Sequence, residues 1–567
     1  MPYRAPVADF RFLMDHIVGF SDVAATDTFS EATPDMVDAI LTEAAKMSEE
    51  VLAPLQRNGD LHPATLENGV VRTSPGFGDG YKAIAEGGWI GMSASPENGG
   101  MGLPMTLTTA VNEMMSAACL SLQLNPLMSQ GQIEALEHHA SDEIKETYLP
   151  KLISGEWCGT MNLTEPQAGS DVGALRTKAE PNGDGSYAIT GQKIYISWAD
   201  NDFTENVCHL VLARLPEAVA GTKGISLFMV PKLIPDADGN PGERNDLRVV
   251  SLEHKLGLHG SPTAVMEYSG AKGWMVGPEN GGMAAMFTMM NNARLGVGVQ
   301  GIGAADGAYQ HALGYAMDRK QGKAPGTGAI IEHADVRRML AGMKADIFAA
   351  RAIALMNAVA IDMATATGDA SWKARAAFLT PICKAFGTDT GIAVASTGVQ
   401  IHGGMGFVEE TGAAQYSRDV RVTAIYEGTN GIQAMDLVAR KMMDGGEIAQ
   451  SLIEEIQDGA EAAKATHGDM ATAVWNAAES LRETTEWLAA QKDLTQRFAG
   501  AVAYLRAFAR VLGGHAHLQA AMSGDEARGK LATFYINRLL PEHAGLLAEV
   551  RTGADNLMSI TNDELAA

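Results

Sequence analysis

The run SYAITGQKIYIS (Ser186–Ser197) alternates polar and apolar residues in a chain whose periodicity is elsewhere that of helices. Period two sends successive side chains to opposite faces of a strand, so the stretch reads as a half-buried β-strand. Two similar runs follow, HLVLARL (His209–Leu215) and ISLFMV (Ile225–Val230). PNGDG, PDADGNPGE and HGSP separate such runs, and each is a cluster of turn-forming residues. Residues 158–277 are therefore predicted to form a β domain.

Outward from it the pattern is helical on both sides. Thr33-Pro34 is a helix start, and MVDAILTEAAKMSEEVLAPL (Met36–Leu55) repeats apolar residues at three and four. The Gly-rich ENGGMGLP (Glu97–Pro104) interrupts this N-terminal helical domain, residues 1–157. Residues 278–443 hold long Ala-, Met- and Leu-rich segments that fit a helix bundle. Residues 444–567 carry charged amphipathic patterns such as NAAESLRETTEWLAAQKDL and read as an appended helical domain. The predicted fold class is α+β and multi-domain, with helices, a β-barrel-like domain, then helices twice over. Such an order suggests a site built between domains.

A chain of 567 residues can bury several cores. Its 43 basic and 68 acidic residues give a formal net charge of −25, which argues against non-specific binding to nucleic acid or an anionic membrane. The start MPYRAPVADFRFLMDHIVGF alternates polar and apolar residues instead of forming a secretory apolar core, and no apolar run long enough to span a membrane is read later. A cytoplasmic protein without a membrane span is expected. Cys119, Cys158, Cys208 and Cys383 lack paired spacing, so neither a metal cage nor a disulfide framework is suggested.

Chemistry is suggested at a few places, each with a plainer alternative. LTEPQAGSDVGALRTKA (Leu163–Ala179) puts Thr164, Gly169 and Ser170 in a turn where a backbone can approach a flat or anionic ligand; an ordinary hairpin loop uses the same residues. Tyr195 and Ser197 share one face of their strand and could meet a ring system, or Tyr195 could pack on a neighbour. Arg294 stands at the head of a helical pattern and Arg319 near its end, where cations also serve the dipole. VQIHGGMGF (Val399–Phe407) places paired glycines after an apolar helix, a pattern common at C-caps. In AIYEGTNGIQ (Ala424–Gln433) a glutamate stands at a turn before a helix; this is a catalytic carboxylate or a solvated residue stabilised by the dipole.

Order and spacing together say more than any one motif. ENGGMGLP, LTEPQAGSD, GQKIYIS, LGLHGSPT, ARLGVGVQ, DRKQGK, VQIHGGMGF and YEGTN occur in the order found in acyl-CoA dehydrogenases, a flavoprotein family that the chain resembles from about Thr33 to Lys441. The resemblance implies FAD between the β domain and the helical bundle, with Leu163, Thr164, Gly169, Ser170, Tyr195, Ile196, Ser197 and Thr429 around it. Tyr195 stands where many members have tryptophan. Arg319, Gln400, Gly403 and Gly404 match positions that hold the pyrophosphate and adenosine half, commonly of a neighbouring subunit's FAD, so a homodimer is implied. The sequence departs from the family at QGK, where Phe-Gly-Lys is usual and APGTGAI follows, and at Ala334, where glutamine is common.

The same resemblance makes Glu427 the base that removes the α-proton of an acyl-CoA thioester while a hydride passes from the β-carbon to flavin N5. Some members carry the base on a bundle helix, at the position of Ala293 here, which leaves Glu427. Ser170, Asn291, Arg294 and Gly428 are implied at the substrate, with Asn291 where some members have aspartate. Electron-transfer flavoprotein is the acceptor expected from the family. The chain ends, YRAPVADFRFLM and FYINRLLPEHAGLLAEVRTGADNLM, resemble the longer bacterial members and imply 3-(methylthio)propionyl-CoA, from dimethylsulfoniopropionate breakdown, as substrate. Medium- or long-chain acyl-CoAs are the alternative, and a relative that only binds is the alternative from another class.

Overall fold

The computed structural model describes residues 2–567. Its longer helices before the sheet are α1 (Val7–His16), α2 (Pro34–Met47), α3 (Phe77–Glu86), α4 (Met105–His139) and α5 (Asp142–Ser154). The main strands are β1 (Trp157–Asn162), β2 (Lys178–Pro181), β3 (Tyr187–Ser197), β4 (Asn206–Ala213), β5 (Ser226–Pro231), β6 (Leu247–Leu252) and β7 (Thr263–Val276). After them come α6 (Gly282–Asp318), α7 (Ala334–Thr367), α8 (Ala370–His402), α9 (Ala413–Val420) and α10 (Asn430–Val438). The chain closes with α11 (Glu447–Ala490), α12 (Ala501–Met522), α13 (Glu526–Arg538) and α14 (Glu542–Thr552). Two compact units result, one of residues up to Thr42, Met105–Glu113 and Arg294–Ala567, the other of Glu43–Pro104 and Met114–Ala293.

In the second unit the strands make one seven-stranded sheet in the order β1-β4-β5-β7-β3-β2, with β6 also on β7. Only β1 and β4 run parallel. β7 spans both halves: its Thr263–Gly273 part pairs with β3 and its Trp274–Val276 part with β5. The order nearly closes on itself, because Ala179 N donates to Arg214 O at 2.8 Å and Arg214 N donates to Thr177 O at 2.9 Å, just beyond β4. This is the barrel-like character expected. Ile189, Val211, Phe228, Val230, Met266 and Tyr268 fill the interior from alternate strand positions.

Two local elements differ from the sequence reading. Thr65–Glu67 pairs with Val70–Arg72 as a small hairpin inside the N-terminal region read as helical. Its loop is Asn68-Gly69, with φ of 52° and 77°, the two positive angles a tight two-residue turn requires. Residues Val7–His16, read as alternating, form α1, which buries Phe10, Leu13 and Met14 at helical spacing.

In the first unit α6 and α8 touch backbone to backbone. A Cβ on Gly298 would meet Cys383 O at 2.8 Å, one on Gly387 would meet Gly298 O at 2.5 Å, and one on Gly391 would meet Gly301 O at 2.5 Å. Glycine at these crossings sets the helix separation, and it brings Arg294 and Lys384, each about one turn upstream, toward one another. A buried ion cluster stands in the same unit. Arg351 of α7 donates through Nε to Glu113 at 2.7 Å and lies 3.3 Å from Asp9 and 3.4 Å from Asp306. Arg528 of α13 reaches the other oxygen of Asp9 at 2.8 Å. One helix, Ala334–Thr367, is long and apolar enough to cross a membrane by length and composition, which the sequence reading did not anticipate; 83% of its apolar window is buried in the protein. All four cysteines are buried and outside any disulfide, as small apolar residues would be.

Candidate active site

Glu427 sits at an elbow that its own conformation makes conspicuous. Its φ is +58° and that of Gly428 is +84°, so two consecutive residues adopt left-handed backbone ahead of α10. The first is costly for a side chain bearing a Cβ and persists only where surrounding bonds over-determine it. Those bonds are present. Glu427 O accepts from Arg294 Nε at 3.4 Å and from Gln433 Nε2 at 3.2 Å, and the same Gln433 nitrogen donates to Gly428 O at 3.3 Å. Thr429 caps α10, its Oγ1 accepting from Ile432 N at 3.3 Å. A Cβ on Gly428 would stand 2.9 Å from Gln433 Nε2, so glycine is required there by both angle and space.

The carboxyl of Glu427 is half-buried, and desolvation pushes it up to about 7 against the pull of Arg294 and Lys384. Ala293, the alternative position for a base, is fully buried and has no acid to offer. Arg294 is 6% exposed and lies 4.0 Å from Asp436. It stands well inside α6, not at a helix head as the sequence suggested, because the Met-rich segment before it continues the helix back to Gly282. Asn291 is exposed.

In the second unit the LTEPQAGSD loop is fastened to the end of β3. Lys193, fully buried, donates to Leu163 O at 3.0 Å and to Glu165 Oε1 at 2.8 Å. Glu165 also accepts from Arg176 N, Thr177 N and Thr177 Oγ1, and against the cost of burial Lys193 and these donors hold its carboxyl down at about 2. Ile194 N donates to Thr164 O at 2.9 Å, which sets the loop beside Tyr195. Tyr195 has φ of +60° and 62% exposure, which disturbs the simple alternation expected for it and Ser197 and turns its ring outward. Gly169 is exposed, with nothing within 4 Å of where a Cβ would stand. An accessible ring, hydroxyls and an open glycine suit a flat ligand with polar margins, and so fit FAD.

Arg319 follows α6 directly and is exposed; its carbonyl accepts from Ile330 N at 2.8 Å, closing the QGKAPGTGA segment into a loop. Gln400, Gly403 and Gly404 are exposed at the end of α8. Gly403 has φ of +60°, and both glycines are open on the side a Cβ would take. Gln400 also borders a cavity of about 550 Å³ that Arg338, Asp346, Phe534 and Arg538 help to line. Gln433, Lys384 and the Glu165–Lys193 pair were not singled out from sequence. Lys193 had a signal, a lysine on the buried parity of an alternating strand, where a charge requires a partner.

In the second unit an accessible ring beside a hydroxyl-rich loop, and in the first a carboxyl of raised proton affinity, are the parts that a flavin-linked oxidoreductase of acyl thioesters needs. Family models match consecutive segments: the acyl-CoA dehydrogenase N-terminal domain at residues 36–156, its middle domain at 160–271 and its C-terminal domain at 280–443. An acetyl-CoA dehydrogenase C-terminal-like model matches residues 452–561. The chain belongs to the acyl-CoA dehydrogenase family and is an FAD-dependent enzyme acting on acyl-CoA. It is 45% identical over 526 residues to 3-methylmercaptopropionyl-CoA dehydrogenase of Ruegeria pomeroyi, covering 89% of this chain and 88% of the relative. It is 32% identical to the broad-specificity linear acyl-CoA dehydrogenase FadE5 of Mycobacterium tuberculosis, covering 100% of this chain and 99% of the relative. An acyl-CoA dehydrogenase complexed with FAD from Bacillus anthracis has the same fold, with a TM-score of 0.73 at 22% identity over 99% of this chain and 93% of that one.

Proposed function

We propose that this enzyme oxidises 3-(methylthio)propionyl-CoA, also called 3-methylmercaptopropionyl-CoA, to 3-(methylthio)acryloyl-CoA, with Glu427 as base. The observation that carries the substrate is the 45% identity, over 89% of the chain, to a dehydrogenase named for that thioester. The half-buried carboxyl at the elbow, raised to about 7, supports the role of Glu427. A thioester α-proton is weakly acidic, so its acceptor works best when its own proton affinity is raised toward neutrality. The α-proton goes to the Glu427 carboxylate and the Cα–H electron pair becomes part of the new Cα=Cβ bond. FAD, when bound, supplies the acceptor for the β-hydrogen and its electron pair. The backbone N–H of Glu427 is the proposed donor to the thioester oxygen, where negative charge develops. Gly428 leaves room beside the acyl chain, and Arg294 holds the elbow from behind.

Thr164, Ser170, Tyr195 and Ser197 are proposed around the flavin ring, with Arg319, Gln400, Gly403 and Gly404 turned to the far half of a neighbouring subunit's FAD. The resulting homodimer is supported by Met405 and Phe407, 46% and 89% exposed on the loop after Gly404. Electrons are proposed to leave to an electron-transfer flavoprotein. A straight-chain acyl-CoA is the second reading, favoured by the full-length similarity to a linear acyl-CoA dehydrogenase. The test is an anaerobic titration with 3-(methylthio)propionyl-, butyryl- and palmitoyl-CoA, following flavin absorbance in the wild type and Glu427→Gln. Fastest bleaching by the methylthio substrate and none in the variant support the proposal. Fastest bleaching by palmitoyl-CoA sinks the substrate, and an active variant sinks the base.

A further inference from the structure

Lys384, on α8, is fully buried, and no part of the proposed reaction uses it directly. A lysine ammonium withheld from water is costly unless neighbouring groups compensate it. Its compensation lies at the elbow. Nζ donates to Asn430 Oδ1 at 2.9 Å. Asn430 is the first residue of α10, three positions after Glu427, and its Nδ2 donates to Asp389 Oδ1 at 2.7 Å. The same Nδ2 also donates to Thr388 Oγ1 at 3.0 Å and to Ala385 O at 3.4 Å, and Thr388 Oγ1 donates to Asn430 Oδ1 at 3.2 Å. One amide is thus gripped by four residues of α8, with Lys384 its charged partner, and the segment Glu427–Asn430 is pinned to that helix. The backbone contact of α6 and α8 across Gly298, Gly301, Gly387 and Gly391 fixes where the grip stands.

We propose that Lys384 is a positioning residue for the dehydrogenation: through Asn430 it holds the Glu427 elbow in place, and its ammonium, fixed in the same cluster, favours the carboxylate form of the base. This rests on Glu427 being the base. Burial raises the proton affinity of Glu427, and Arg294 from α6 and Lys384 from α8 oppose that rise. Arg294 is shared with Asp436 and faces Arg440, while Lys441 faces both of those residues. Lys384 is shared with Asp389, which Arg421 and Arg506 also face, and Tyr426 stands beside the base. With Arg294 divided between Asp436 and the elbow carbonyl, Lys384 is the second cation acting on the base, and removing it leaves a half-buried carboxylate with one.

The sign follows directly. Loss of a nearby positive charge disfavours the carboxylate, so the pH above which the base is ionised rises. Lys384→Gln removes the charge but keeps an amide able to donate to Asn430; Lys384→Arg keeps a charge; Asn430→Ala keeps the lysine and removes the grip. All are measured as FAD-loaded enzymes, recording flavin content and the pH profile of kcat/KM. The expected result is a rise of about one pH unit in the acid limb for Lys384→Gln, read as roughly tenfold lower kcat/KM below the limb and near-normal values above it. Lys384→Arg should return the limb to its wild-type position, and Asn430→Ala should lower kcat at every pH without moving the limb. An unmoved limb in a folded, flavin-loaded Lys384→Gln overturns the electrostatic role. Unchanged kcat in Asn430→Ala overturns the grip. Should Lys384→Gln fail to fold, Lys384→Met and Lys384→Arg are compared in its place, and equal limbs in those two overturn the charge effect. Glu427→Gln, measured alongside, separates the readings: turnover in that variant removes the base itself, whereas an inactive Glu427→Gln with an unmoved lysine variant removes only the role of Lys384.

Discussion

Glu427→Gln should make the protein more stable while abolishing its chemistry, and the gain should depend on pH. In the folded chain the carboxyl is raised from 4.5 to about 7, chiefly by burial. The native state therefore binds this proton more tightly than the unfolded chain does. Stability from this group is complete below about 4.5, declines as pH climbs toward 7, and is fully lost above it. A shift of that size corresponds to about 3 kcal/mol at most. Glutamine fills nearly the same volume and carries no charge, so it escapes the penalty, while the strain of the +58° backbone is common to both side chains. The assay is thermal unfolding of the FAD-loaded wild type and variant at about pH 8 and about pH 5. The variant should melt a few degrees higher at the upper pH, with the difference shrinking at the lower one. A variant no more stable than wild type at the upper pH, or equally favoured at both, would refute the reasoning.

Other expectations follow from the same geometry. Gly428→Ala forces a Cβ to 2.9 Å from Gln433 Nε2 at a φ of +84°, so kcat should fall roughly 100-fold with flavin retained; a rate within a few-fold of wild type would contradict the crowding. Lys193→Met strands the Glu165 carboxyl without its cation and frees Leu163 O, which should cost about 3–5 kcal/mol and lower flavin retention, both measurable by denaturant unfolding and absorbance. Phe407→Asp should leave the fold of a single chain intact and weaken self-association in sedimentation, since the ring is 89% exposed and touches little within its own chain.

The alternation in Ser186–Ser197 and the turn clusters around it were enough to locate the sheet, because period two and period 3.6 cannot be confused over a strand of this length. The candidate site could be proposed from sequence only as a set of positions, without the contacts that support them. Glu427 could be proposed from YEGTN, but its left-handed backbone and the Arg294 bond to its carbonyl, made across 133 positions of sequence, could not. The glycines of ARLGVGVQGIG and KAFGTDTG recur at helical spacing and could have signalled the close crossing of α6 and α8. Lys384 looked like an ordinary bundle residue, since its partner lies 46 positions away. The Asn68-Gly69 hairpin was missed although its turn signal was plain, because a long helical context was allowed to override a short local one.

The ion cluster at Arg351 has a temporal consequence. Asp9 is made well before its two cationic partners, Arg351 and Arg528, which lie 342 and 519 positions further along the chain. At synthesis rates of about 5–20 residues per second the last of them is made on the order of 30–100 s later. Until then the Asp9 carboxylate lacks one of the two cations that hold it in the finished protein. Deleting the last 40 or so residues would remove Arg528, and so should loosen Asp9 and α1 at the opposite end of the chain.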